Sequence, residues 1–363
     1  MSWTPICADK FSQFEDLSWK IHLSFGKNDN GFTSKEDTGL MYGKAGLAIY
    51  YGYAYKTFNN SEYFTLFSET VNDIIDCLGQ NSDPSPNYGR GYAGIGWGLQ
   101  HLASMELLEN EDLLGDFAPL LAEFSETCFK VKDYDYLLGG LGYPFSILQK
   151  ELSTNEEAYI SKSVELLEEI AIKQNGYTYW EQIKANEPNK VNLGVAHGVP
   201  GILVYLSKCY KKGINKASCE KLIVPAMDYL MSTRLMNKHS IFPYAIMNSE
   251  KVGETPMRWC YGDLGVGLAL IIIGKNCNND EWVNEGIRVG LNSIRRLQEV
   301  EYVVDAHICH GTGGIAHIFN RYYQYTGDER FKDAAINCLD KTMLKAMFKK
   351  NYIQFSADKG DFG

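Results

Sequence analysis

A short pattern limits what this chain can fold into more than any other feature: Gly-x-x-Gly followed at once by an apolar stretch. It recurs six times, at Gly43/Gly46 (YGKAGLAIYY), Gly91/Gly94 (GYAGIGWGL), Gly139/Gly142 (GGLGYPFSIL), Gly198/Gly201 (HGVPGILVYL), Gly262/Gly265 (YGDLGVGLALI) and Gly311/Gly314 (HGTGGIAHIF). Successive copies lie 48, 48, 59, 64 and 49 residues apart. Self-similarity at such a period marks supersecondary units that bury their apolar faces on one another.

The segments between copies have helical periodicity. In Ser161–Ile172, Val164, Leu167 and Ala171 share one face with Leu166 and Ile170 beside them, and Glu165, Glu168 and Glu169 fill the rest. Glu285–Leu297 repeats the pattern with Ile287, Leu291 and Ile294 against Arg288, Arg295 and Arg296. Alternating strand patterns are nearly absent. Each repeat therefore supplies one amphipathic helix and one nearly all-apolar helix that begins at the glycines. The apolar helix needs cover on most sides, which predicts an all-α fold. The expected architecture is an α/α toroid of six to seven helix pairs, a single domain over residues 1–363, with apolar helices inside. The glycine signatures then share one rim, where helix N-termini leave backbone N–H groups open. Taken alone, the glycines are equally well explained by close packing.

Composition narrows the function classes. Lys plus Arg number 35 against 45 Asp plus Glu, a net charge of −10, which argues against a nucleic-acid partner. The 45% hydrophobic and 22% charged fractions exclude a disordered or fibrous chain. No basic, apolar leader opens the sequence, and the longest apolar run, Leu268 to Ile273, is far too short to span a bilayer. A cytoplasmic protein is expected. The nine cysteines are odd in number and scattered, which reads as free thiols plus a metal site rather than a disulfide frame.

Soft and titratable residues keep phase with the repeat. His197 directly precedes Gly198, Cys260 stands two residues before Gly262, and Cys309-His310 precedes Gly311. If the repeats superpose, these groups converge on one rim. Two thiolates and an imidazole with one open position suit a catalytic Zn²⁺ site, with Cys260, Cys309 and His310 as ligands and His197 nearby. Asp135, four residues before Gly139, reads either as a partner in proton transfer or as a cap. Asp263 reads as a cap or helix-dipole partner, His307 as a structural neighbour of the ligands, and His317 as a core residue.

Set in this repeat, AHGVPG, WCYGDLG and CHGTGG resemble the lanthionine synthetase C-like family of zinc-dependent lanthipeptide cyclases, from about Gly39 onward. The resemblance implies an α/α toroid with a central zinc. It implies a lantibiotic-type reaction in which a precursor-peptide cysteine adds to a dehydroalanine or dehydrobutyrine of the same peptide, closing a (methyl)lanthionine thioether. It also implies Cys260, Cys309 and His310 as zinc ligands, His197 and Asp135 at the acid/base positions, and Tyr261 as the tyrosine after the first ligand. The expected partners are the dehydrated precursor peptide and separate dehydratase and export machinery, with any membrane association arising through that complex.

Three features depart from the family pattern. The arginine common four residues before the first zinc cysteine is Pro256 here, with Arg258 two residues before Cys260 as a candidate substitute. The chain reaches SADKGDFG where a seventh Gly-x-x-Gly and its inner helix are expected, so the seventh repeat reads as truncated. With no dehydratase segment read ahead of the toroid, the chain resembles a stand-alone cyclase, and the dehydratase is expected as a separate partner. Alternatives are a non-catalytic peptide-binding member, a relative that handles glutathione or other thiol adducts, and a zinc-free α/α-toroid glycosidase needing a carboxylate pair such as Asp135 with Asp263.

Overall fold

A glycine at the start of a helix has no side chain with which to cap it, so the chain just before must do so. The computed structural model shows how. It describes residues 4–24, 37–41, 43–79, 85–109, 112–184, 187–299, 303, 305–349 and 352–355. Six residues before the first glycine of each copy stand Asp37, Ser85, Asp133, Asn192, Pro256 and Asp305. The Oδ1 atoms of Asp37, Asp133, Asn192 and Asp305 each accept the backbone N–H two residues on, at 2.8–3.2 Å. This Asx turn bends the loop back on itself. The carbonyls of Asp37, Ser85 and Asp305 then accept the N–H of Lys44, Tyr92 and Thr312, the first residues of three helices, at 2.9–3.0 Å. Orphan helix donors are thereby satisfied by the loop.

The same loop explains the second glycine. A Cβ on Gly94 would sit 1.8 Å from the Tyr88 carbonyl oxygen, and one on Gly201 would sit 2.2 Å from that of Val195. The other copies repeat the contact, always with the carbonyl six residues upstream. Of the two readings of the glycines, close backbone approach is the one the structure shows, but within each loop–helix junction rather than between helices.

The described residues group into two compact units, Phe11–Ser163, and Met1–Lys10 with Val164–Gly363. The first holds α1 (Phe11–His22), α2 (Lys44–Phe58), α3 (Ser61–Gly79), α4 (Tyr92–Ser104), α5 (Leu113–Asp116), α6 (Ala118–Lys130), α7 (Gly142–Ile147) and the start of α8 (Thr154–Ile170). The glycine-initiated helices α2, α4 and α7 pack in succession, and α3 covers α2. Their core gathers Ala45, Ala48, Tyr51, Phe67, Ile95 and Leu102.

The second unit continues through the hairpin β1 (Ile172–Gln174) and β2 (Tyr177–Tyr179), then β3 (Gln182–Lys184), β4 (Glu187–Asn192), α9 (Val199–Lys212) and α10 (Lys216–Ser232). After β5 (Pro243–Met247) and β6 (Glu250–Glu254) come α11 (Asp263–Cys277), α12 (Asp280–Glu299), α13 (Thr312–Thr326), α14 (Glu329–Leu344), β7 (Ala346–Lys349) and β8 (Tyr352–Phe355). Here α9, α11 and α13 form the glycine-initiated layer, each paired with the amphipathic helix that follows it. Helix α11 is buried along nearly its whole length, so its all-apolar sequence is matched by cover on every side.

The strands correct the reading that they would be nearly absent. β3-β4-β5-β6 form an antiparallel sheet inserted between helix pairs, and two separate hairpins flank it in sequence. Each strand has only three to six residues, too few for a periodicity to register. A turn signal was present: Asn175-Gly176, both at positive φ (53° and 80°), joins β1 to β2. The hairpin is tied to α8 by the Trp180 indole N–H, which donates to the Leu167 carbonyl at 2.8 Å. The position predicted for a seventh repeat lies outside the described residues.

Candidate functional site

The fifth and sixth copies deliver the two predicted thiols to one place. Cys260, buried at the start of α11, and Cys309, half-buried before α13, stand in hydrogen-bonding contact, and Cys309 is also bonded to His310. The Cys260 S–H, the His310 ring and the Trp259 indole N–H hold the Cys309 thiol below its ordinary range, against the cost of burial. That same bond and burial drive the Cys260 thiol upward, while Arg258, exposed nearby, opposes the rise. His310 Nε2 lies 3.7 Å from Asp305 Oδ2.

Two sulfurs and an imidazole are a donor set of the zinc type, and a carboxylate on the far ring nitrogen is the companion a ligating histidine commonly keeps. Among the described residues, no three His, Cys, Asp or Glu side chains yet converge as a metal cluster. The contacts present are the pairs Cys260–Cys309 and Cys309–His310.

Beside the thiols, the fourth copy supplies His197, whose ring stacks on Tyr261 at 5.3 Å between centroids and 29° between planes. Asn192 Nδ2 donates to the Tyr261 hydroxyl at 3.2 Å, and the Tyr244 ring, from β5, stacks on Tyr261 at 4.6 Å. Gly194 is required here: a Cβ would meet the Cys260 carbonyl oxygen at 2.3 Å and the Tyr261 ring at 2.6 Å. Burial pushes the Tyr261 phenol well above its ordinary range.

Asp135 belongs to the other unit. Its Oδ1 accepts the N–H groups of Leu137 and Leu138 at 2.8 and 3.0 Å, so it caps the turn that leads into Gly139. Asp263 does more than cap. Its buried carboxylate accepts the N–H of Ile241 and Phe242 and pairs with Arg296 Nη1 at 3.0 Å. Arg296 Nη2 reaches the Thr255 carbonyl at 2.6 Å. This network stands where Pro256 removes the Asx side chain found in four of the other copies, and Gly262 adopts φ 108°. His307 is exposed, its ring 6.2 Å from that of His310. His317 is exposed on α13 rather than in the core, a correction to the sequence reading: its position on the helix faces away from the buried stripe of Ile315, Ala316 and Phe319. None of the nine cysteines, all of them described, is joined in a disulfide. Sequence reasoning gave no role to Asn192, Tyr244, Trp259 or Arg296. Asn192 had a signal in its place six residues before a repeat glycine, and Trp259 in its place beside Cys260 in WCYGDLG.

The fold and this rim define a helical-repeat protein with a thiol–imidazole centre at the head of its glycine-initiated helices. The family model of the lanthionine synthetase C-like proteins matches residues 34–362, and the chain belongs to that family. The nisin biosynthesis protein NisC of Lactococcus lactis subsp. lactis is 24% identical over 221 residues, covering 55% of this chain and 51% of that protein. The chain thus spans about half the length of this curated relative in the match. A solved structure of nisin cyclase superposes with a TM-score of 0.71 at 16% identity, over 93% of this chain and 87% of that one. That likeness establishes the fold class as the expected all-α, α/α toroid. No helix among the described residues is long and apolar enough to cross a membrane.

Proposed function

We propose that the chain is a zinc-dependent cyclase that closes thioether rings in a dehydrated precursor peptide. The observation that carries this reading is the contact between Cys260 and Cys309, thiols from separate repeats, with His310 bonded to one and the His197–Tyr261 stack alongside. Cys260, Cys309 and His310 would hold the metal, the His310 ring with Asp305 behind it. Bound there, zinc would supply a peptide cysteine in its thiolate form at neutral pH, where a free thiol near pKa 8.5 is mostly protonated.

This chain's residues account for the rest. The Cys260 and Cys309 thiolates would offset the cation's charge, so that the peptide sulfur would keep its nucleophilic character. Its lone pair forms the new bond to Cβ of the dehydro residue, and the displaced π electrons pass to the adjacent carbonyl as an enolate. His197 is the proton donor to Cα, its ring held by the Tyr261 face. A peptide substrate belongs to this proposal and is supported by the likeness to the nisin proteins, and separate dehydratase and export partners are proposed with it from the family resemblance.

The test is elemental analysis of the purified protein beside Cys309→Ala, with a ring-closure assay on a peptide bearing one cysteine and one dehydroalanine. Cyclisation leaves mass unchanged but removes the alkylatable thiol. One zinc per chain, lost in the variant, with thiol loss only in the wild type, is expected. A zinc-loaded protein that leaves the thiol free overturns the reading.

A further inference from the structure

We propose that Asn192 and Tyr244 are positioning residues for His197, acting through the Tyr261 ring; this rests on His197 being the proton donor. A donor to carbon must present one ring nitrogen along a fixed line, and His197 sits half-buried at the head of α9. The Tyr261 face lies against its ring, so what holds Tyr261 also bears on the orientation of His197.

Tyr261 is held at both ends. Asn192 Oδ1 is committed to the Gly194 N–H at 2.8 Å, so the amide can only donate, and Nδ2 meets the Tyr261 oxygen at 3.2 Å. The Tyr261 O–H is then free to donate to the Tyr244 hydroxyl, with which it is bonded. The phenol thus accepts from one neighbour and donates to the other, and the Tyr244 ring stacks on it. The Asn192 backbone also lies close against the start of α9, since a Cβ on Gly198 would sit 2.1 Å from its carbonyl oxygen. Tyr244 comes from β5, whose Ala245 pairs with Asn192 of β4, so the inserted sheet sets both groups together.

The repeat supplies independent support. At the position six residues before the first glycine, Asp37, Asp133 and Asp305 make the Asx turn with a carboxylate, which can only accept when ionised. Among the four copies with an Asx turn, only the one that carries His197 has an amide, which donates as well as accepts. An aspartate would serve the turn equally well; the donor is needed only for Tyr261.

The test uses Asn192→Asp, which keeps the turn and removes the donor, and Tyr244→Phe, which keeps the stack and removes the hydroxyl. The ring signals of His197, identified by their loss in His197→Gln, are followed by nitrogen-15 NMR of the full chain, beside kcat and KM for the peptide above. Both variants should move the His197 signals and lower kcat by about ten- to a hundredfold at unchanged KM, with the thermal midpoint unchanged in Tyr244→Phe. The double variant should cost less than the product of the two singles, because both act on one ring. Unmoved His197 signals overturn the proposal, as does a rise in KM with kcat intact. If the wild type closes no ring, the cyclase reading fails, whereas the NMR shifts still report whether Asn192 and Tyr244 hold His197.

Discussion

Replacing Asp263 with alanine removes the anchor of the copy that carries Cys260. The carboxylate is fully buried and its partner Arg296 is 3% exposed, so deletion strands a guanidinium in the protein interior. Breaking a buried pair from one side costs about 3–5 kcal/mol, because the remaining charge cannot be hydrated. The Ile241 and Phe242 N–H groups also lose their acceptor, and each unsatisfied buried donor costs about 1–3 kcal/mol. These terms overlap, since the loosened segment admits water, so the expected loss lies near the top of the 3–5 kcal/mol range. Burial raises the Asp263 pKa, while Arg296 and the two N–H groups hold that rise in check, which fits a pair maintained at a cost. The assay is urea unfolding of wild type, Asp263→Ala, Arg296→Met and the double variant. Removing both charges should restore stability relative to Asp263→Ala alone. A loss below about 1 kcal/mol in Asp263→Ala, or additivity of the two changes within about 0.5 kcal/mol, would refute the reasoning.

Gly94→Ala should destabilise by about 1–3 kcal/mol or more in the same assay, because the new methyl collides with a backbone carbonyl that no rotamer can relieve. Asp135→Asn keeps an oxygen for the Leu137 and Leu138 N–H groups, so the unfolding midpoint should hold; a fall in ring-closure rate at constant stability would then assign the carboxylate a chemical role, and an unchanged rate would leave it a turn cap. Glu285 is depressed below its ordinary 4.5 by its bonds to Arg288 and by Arg234. Its depressed folded-state pKa means it stabilises above the unfolded value and that this contribution is lost as pH falls below about 4.5. Glu285→Gln should therefore narrow its stability gap to wild type on acidification, as measured by thermal melts across that range.

Much of the architecture could be read from the repeat because its cause is local. A Gly-x-x-Gly copy is a loop closing on its own helix, with every contact inside some ten residues, so sequence phase maps directly onto structure. The thiol pair was legible for the same reason: Cys260 and Cys309 hold the same register in equivalent copies. The sheet was not legible, since β4 and β5 are separated by two helices and no local pattern pairs Asn192 with Ala245. His317 was misplaced because a helical pattern gives the buried face only when the neighbours are known.

The sequence by itself determined the helix starts, the need for glycine at them, and the residues brought to the rim, because backbone sterics and repeat phase are properties of the chain. Tertiary structure alone decided that Arg296 and Asp263 anchor the copy in which Pro256 stands in place of an Asx residue, and that Tyr244 reaches Tyr261 from an inserted strand. Both depend on segments distant in sequence meeting in a buried place, where an unpaired polar group is costly and its partner can come from anywhere the fold permits.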